Sequence, residues 1–206
     1  TSTTSNPRLP SFEGPIPGST YTVSPAIPTS ALAAQKRHPP GIAAAAAGPN
    51  LLASAAVFDS QQRLLLVQRA PTDFFPLKWE LPGGSVDVNR GESMVAGAVR
   101  ELYEETGLVA RAVTRRVGME RTFEEGRWRQ GVFEVRVVKG EEGVRLDPEE
   151  HVAWLWVTEE DVRMGRCGGV VLEYADEEEW RDLLLKAFEG RRVGERLVAF
   201  GLDGFW

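Results

Sequence analysis

Three glutamates crowd the stretch RELYEETGL (100–108): Glu101, Glu104 and Glu105, directly after Arg100. If the stretch is helical, the spacing i, i+3, i+4 sends all three carboxylates off one face. Carboxylates this close repel, and two settings relieve them. One is a solvated surface face, the ordinary reason for a Glu-rich helix. The other is a hard divalent cation, Mg²⁺ or Mn²⁺, which an all-oxygen ligand set suits. Neither histidine nor the cysteine is close in sequence, which speaks against zinc. Ahead of the stretch stands Pro82-Gly83-Gly84, a loop able to present backbone groups at close range, and then Gly91-Glu92.

Other candidates are weaker. Glu149-Glu150-His151 precedes WLWV. Its bland reading is a turn before a strand, with His151 exposed rather than a ligand. Arg69, at the end of an apolar run, and Lys78, in the loop before the glycines, are cations able to face phosphates, or plain surface charges. Phe74, Phe75 and Trp79 are aromatic enough to stack on a base, or to form core beneath that loop. Arg127, Trp128 and Arg129 make a small basic-aromatic patch. Trp154 and Trp156 share one side of a strand, where core is the expected role for at least one. Cys167 and His38 read as incidental.

These residues need elements to position them. LLASAAVFD (51–59) and RLLLVQRA (63–70) read as a strand pair, with Ser60-Gln61-Gln62 as the turn. Residues 70–84 are loop-like, broken by prolines and glycines. A helix is expected over 93–106, where Val95, Val99, Leu102 and Thr106 recur at helical spacing and Gly107 follows as a stop. Strands are expected in 110–123, 127–139 and 151–158. Thr158 before Glu159-Glu160-Asp161 resembles a helix start. A last helix runs over 176–189, closed by Gly190, and 191–200 reads as one more strand. The sum is an α+β domain, a mixed sheet flanked by helices in an α/β/α sandwich, over 50–206. Residues 1–49 hold nine of the 13 prolines and a five-alanine run. They read as an extended or partly disordered arm in which YTV (21–23) has strand propensity.

The chain has 206 residues and a formal charge of −6, so no global positive field draws in a nucleic-acid polymer. Any phosphate substrate needs local help from a bound cation or a few arginines. No run is long enough to span a membrane. The lone Cys167 excludes an internal disulfide and fits a reducing, cytoplasmic setting. Thr1 in place of Met reads as processing or trimming, and only Arg8 and Arg37 would serve a transit peptide.

Taken together, WELPGG, then GE, then RELYEETGL resembles the signature of the Nudix hydrolases, G-x5-E-x7-R-E-U-x-E-E-x-G-U with U a bulky aliphatic residue. Arg100, Glu101, Leu102, Glu104, Glu105, Gly107 and Leu108 meet its last half, and Glu92 stands where the pattern requires. The first half departs: seven residues, SVDVNRG, separate Gly84 from Glu92 where the family has five. The resemblance implies a Mg²⁺-dependent pyrophosphohydrolase of the Nudix fold, with Mn²⁺ as a substitute. Its substrate would be a small-molecule diphosphate, typically a nucleoside diphosphate linked to another group, and a homodimer is compatible with it. It implies metal binding by Glu101, Glu104, Glu105 and the Gly84 carbonyl, and a supporting Glu92–Arg100 ion pair. Glu101, Glu105 and Glu150 are the candidate bases, since many relatives carry a glutamate near the last position. Arg69, Lys78 and Trp79 stay as candidate substrate contacts. The alternatives are a Nudix-fold binding or regulatory module without turnover, and a scaffold whose glutamates are only solvated.

Overall fold

The computed structural model describes residues 11–16, 19–35, 49–138 and 143–199. In chain order the elements are β1 (Ser11–Glu13), β2 (Thr20–Val23), α1 (Thr29–Leu32), β3 (Asn50–Ala56), β4 (Leu64–Arg69), β5 (Trp79–Glu80), β6 (Gly83–Ser85), α2 (Met94–Thr106), β7 (Ala110–Arg116), β8 (Arg121–Phe123), β9 (Trp128–Val137), β10 (His151–Val157), α3 (Glu159–Met164), β11 (Arg166–Cys167), β12 (Val170–Val171) and α4 (Glu177–Ala199). This is the expected α+β arrangement. The main sheet is mixed, in the order β1-β2-β7-β9-β3-β6 with β8 also on β9, and β2–β7 and β3–β9 are its parallel pairs. A smaller antiparallel sheet runs β10-β4-β5. No described helix is long and apolar enough to cross a membrane.

Alternation along the central strands builds a core on each side of the sheet. Ala53, Ala55, Val57, Phe133 and Val135 pack with Val95, Ala98, Val99 and Leu102 of α2. Ala56, Phe58 and Val132 pack with Trp180, Leu184, Ala187 and Phe188 of α4. The two helices therefore hold the sheet between them, and α2 is left with one free face for its carboxylates.

Three local expectations change. Residues 51–59 and 63–70 do not zip into one hairpin. Their backbones meet only beside the turn, at the Phe58–Leu64 bridge, the Asp59 N–H to Arg63 carbonyl bond and the Leu65 N–H to Val57 carbonyl bond. Beyond it β3 takes β6 and β9 as neighbours, while β4 takes β10 and β5. The turn between them is made by Asp59, whose carboxylate accepts from the Gln61 and Arg63 amides. The second change is at residues 191–199, which continue α4 instead of forming a strand. Gly190 is not a helix stop. A Cβ there would strike the guanidinium of Arg115, whose Nη2 donates to the Ala187 carbonyl at 2.6 Å. The third lies in the amino-terminal arm: YTV forms the expected strand, with Thr22 and Val23 of β2 paired to β7, but the arm is more than an extension, since Tyr21, Val23, Ile27 and Ala31 are buried in the α2-side core. The alanine run and His38 lie outside the described residues.

The helix start at Thr158 forms a capping box. Its hydroxyl accepts from the Asp161 amide, and the Asp161 carboxylate accepts from the Thr158 amide at 2.8 Å. Thr158→Ala is expected to cost about 1 kcal/mol and to lower Tm by about 2–4 °C in a calorimetric scan.

Candidate active site

The site is assembled by α2, the β5–β6 segment and the first residues of β10. Helix α2 begins where Ser93 Oγ accepts from the Ala96 amide and ends at Gly107, whose φ of 69° suits glycine. Its outward face carries Glu101, Glu104 and Glu105, but their surroundings differ. Glu105 is only 4% exposed, and its Oε2 accepts from the Gly83 amide at 2.9 Å. Glu101 is largely buried beside Gly84, where a Cβ would lie 2.7 Å from the Glu101 carboxyl carbon. The Glu104 side chain is 54% exposed and rests on Arg100 Nη1 at 2.7 Å.

Arg100 organises this face. Its Nε and Nη2 bind the two oxygens of Glu92 at 2.8 and 3.0 Å, Nη2 also donates to the Ser85 carbonyl at 2.8 Å, and Nη1 reaches Glu101 at 2.9 Å. One planar cation thus ties two carboxylates of α2, the Glu92 preceding it and the end of β6. Glu92 is further fixed by the Asp87 amide at 2.7 Å. The two extra residues between Gly84 and Glu92 fall after Ser85. There a 3-10 turn, Val88–Arg90, capped by Asp87, takes up the added length. Gly83 and Gly84 remain paired with Ser54 and Ala53 of β3, so Gly84 still sits against Glu101.

Electrostatics single out two of the acids. Burial pushes the Glu105 carboxyl well above the usual carboxylate range; Glu80, Glu101 and Glu150 push it further, against the opposing Gly83 N–H bond. Burial also raises Glu101, Arg100 works against it, and Glu104 and Glu150 add to it. Glu150 is therefore close enough to act on both, and one ligand atom each from Glu105, Glu150 and His151 lie within 4.8 Å of one another. Such a group suits a divalent cation, because the carboxylates are crowded, partly desolvated and short of counter-charge.

The other candidates are placed differently. Arg69 binds Glu80 at 2.6 Å, as well as Asp73 and the Phe74 carbonyl, so its guanidinium braces the 70–78 loop. Lys78 pairs with Glu173 at 3.0 Å. Trp79 is 2% exposed and lies in the α4-side core, where the strand alternation of β5 sends it away from the site. The aromatic surface on that loop belongs to Phe74, 71% exposed, and Phe75, in edge contact with it. His151, expected at an exposed turn, is instead buried as the first residue of β10 opposite Arg69. Sequence reasoning also passed over Glu80. Its signal was the alternation itself: a core Trp79 in a strand puts its neighbour on the other face.

Gly84→Ala tests the close approach. Because the clashing atoms are the Glu101 carboxylate and not backbone, the fold should survive. Glu101 must swing away, and if this carboxylate serves catalysis kcat/KM is expected to fall by about 10²-fold or more, beside an unchanged circular dichroism spectrum.

The chain belongs to the NUDIX domain family, whose model matches residues 49–176. A putative 8-oxo-dGTP diphosphatase of Bacillus subtilis (strain 168) is 46% identical over 63 residues, 31% of this chain and 38% of that protein. The match thus spans well under half of that relative's length. Among solved structures, a MutT protein from Methanosarcina mazei Go1 is similar at 26% identity and a TM-score of 0.54, over 70% of this chain and 96% of that one. An Ap4A hydrolase from C. elegans, solved as a binary complex, shares the fold at 22% identity and a TM-score of 0.52, over 70% and 98% of the two chains. An ADP-ribose pyrophosphatase from Streptococcus suis 89-1591 shares it at 24% identity and 0.51, over 70% and 92%.

Proposed function

We propose that this chain hydrolyses a phosphoanhydride bond in a nucleoside diphosphate linked to another group, or in a related organic diphosphate, with Mg²⁺ or Mn²⁺ held by Glu101, Glu105 and Glu150. The observation that carries this is the convergence of those three acids, with Glu80, beside the Gly83-Gly84 strand edge. The donor set fits a hard divalent cation: it is all oxygen, Glu105 is buried and Glu101 largely so, and their mutual repulsion is what a cation relieves. Bound cations would neutralise the diphosphate oxygens and make a water more acidic.

The chain's own groups do the rest. The Gly83 amide holds one oxygen of Glu105, which leaves the other for a ligand. Arg100 holds the Glu101 carboxylate and the end of β6 together, so that Glu101 stays against Gly84. Carboxyls that bind protons more tightly than usual are suited to accept one from an attacking water near neutral pH. Glu101 and Glu105 have that property, and the exposed Glu150 is the third candidate. Glu104, held on Arg100 in this arrangement, would have to release it to serve as a ligand. Phe74 and Phe75 offer a face for a base or another flat group.

The names of the similar proteins, an 8-oxo-dGTP diphosphatase, an Ap4A hydrolase and an ADP-ribose pyrophosphatase, support a nucleotide-linked diphosphate as substrate. A screen with Mg²⁺ or Mn²⁺ over nucleoside triphosphates, dinucleoside polyphosphates, nucleotide sugars and isoprenoid diphosphates tests this. Release of phosphate or nucleotide from one class, lost in Glu105→Gln, is expected. Tight nucleotide binding without turnover under any divalent ion would favour a binding module instead.

A further inference from the structure

We propose that Glu105, Glu150 and His151 form a mixed nitrogen–oxygen cation position that favours a first-row transition ion over Mg²⁺, with Mn²⁺ the member nearest to an oxygen-rich set. This rests on the hydrolase reading above and sharpens its metal requirement. One ligand atom from each residue lies within 4.8 Å of the others. Glu105 and His151 are buried, while Glu150 is exposed and leaves an open side.

The independent observation is the imidazole. His151 is 3% exposed, and its Nδ1 is buried with no hydrogen-bond partner among the described residues. A buried polar nitrogen without a partner is costly, and a ring nitrogen of this same imidazole lies within 4.8 Å of a Glu105 and a Glu150 oxygen, so the arrangement points to a ligand. The other ring nitrogen, Nε2, lies 3.4 Å from Glu80 Oε1, and Arg69 holds that same oxygen at 2.6 Å. A ligating histidine is usually arranged this way: a carboxylate takes one ring N–H, which fixes the tautomer and leaves the other nitrogen a lone pair. The main chain steadies both partners. The His151 amide donates to the Asp147 carbonyl at 2.9 Å, and the Ala70 amide donates to the Glu150 carbonyl at 2.8 Å.

Selectivity follows from the nitrogen. Mg²⁺ dehydrates reluctantly and keeps to oxygen donors. Imidazole gains more with the later first-row ions, whereas the carboxylates serve either kind. The arrangement therefore shifts preference away from Mg²⁺ without excluding it.

The test loads the full chain with Mn²⁺ and measures ¹⁴N coupling by pulsed electron paramagnetic resonance, beside Mn²⁺ and Mg²⁺ affinities by calorimetry. Expected is a nitrogen coupling in the parent that vanishes in His151→Gln, with the ratio of Mn²⁺ to Mg²⁺ affinity falling about tenfold. Bound Mn²⁺ without nitrogen coupling in the parent overturns this position but leaves an oxygen-ligated hydrolase standing. Failure to bind Mn²⁺ at all removes the hydrolase reading as well. The parent spectrum decides even if His151→Gln does not fold, and His151→Asn is the second variant.

Discussion

Glu105→Gln is expected to lower kcat/KM by about 10³-fold or more while making the metal-free protein more stable than the parent. Both effects have one cause. Glu105 is buried among Glu80, Glu101 and Glu150, and its carboxyl holds its proton well above the usual range. Glutamine keeps an oxygen for the Gly83 amide but brings no charge. For an acid whose pKa is raised in the native state, the stabilising contribution is complete below the unfolded value of about 4.3 and is lost as pH rises through the native value. The parent and the variant should therefore melt together at low pH and separate as pH rises, with the variant higher. Added Mg²⁺ or Mn²⁺ should close that gap by raising Tm in the parent more at pH 8 than at pH 5, with little effect on the variant. Melting curves over that range, with chelator and with Mg²⁺, give the answer. A variant less stable than the parent at every pH would falsify the account of a strained acid cluster.

The second large effect belongs to Arg100. Arg100→Met removes a cation that binds Glu92 through two nitrogens, touches Glu101 and Glu104 and donates to the Ser85 carbonyl. Glu92 is mostly buried and, among the described residues, its carboxylate would keep only the Asp87 amide. Stranding a carboxylate in this way is expected to cost about 2–4 kcal/mol, a fall in Tm on the order of 5–12 °C. Arg100→Lys should recover little, because a single ammonium cannot make the forked contact and reach Ser85 as well. The coupling can be isolated with Glu92→Gln. In the double variant the penalty should be well below the sum of the two single ones, and strict additivity in urea denaturation would show that the pair does not hold the helix.

Much of this protein is local, and so was legible. The α2 helix, its start at Ser93, its stop at Gly107 and the i, i+3, i+4 spacing of its acids follow from periodicity and caps that need no distant partner. The apolar runs of β3, β4, β9 and β10 mark strands for the same reason, and the two-residue lengthening after Gly84 could be counted directly. What could not be read was pairing and burial. Val57 and Phe58 lead into a turn that looks like a hairpin, but strands with apolar side chains on both faces take two neighbours each, and which ones depends on chain far away. Gly190 looked like a helix end because its lack of a Cβ was attributed to backbone freedom, whereas Arg115, 75 positions earlier, fills the space.

The sequence by itself determined which residues share a helix face and therefore that carboxylates are clustered there, since helix geometry sets that spacing without help. Only the tertiary structure decided that Glu105 is buried and Glu104 is not, that Arg69 braces Glu80, and that His151 lies inside beside them. Burial and strand register are set by what the rest of the chain packs against a residue, and that environment gives each of these carboxylates its own affinity for a proton or a metal.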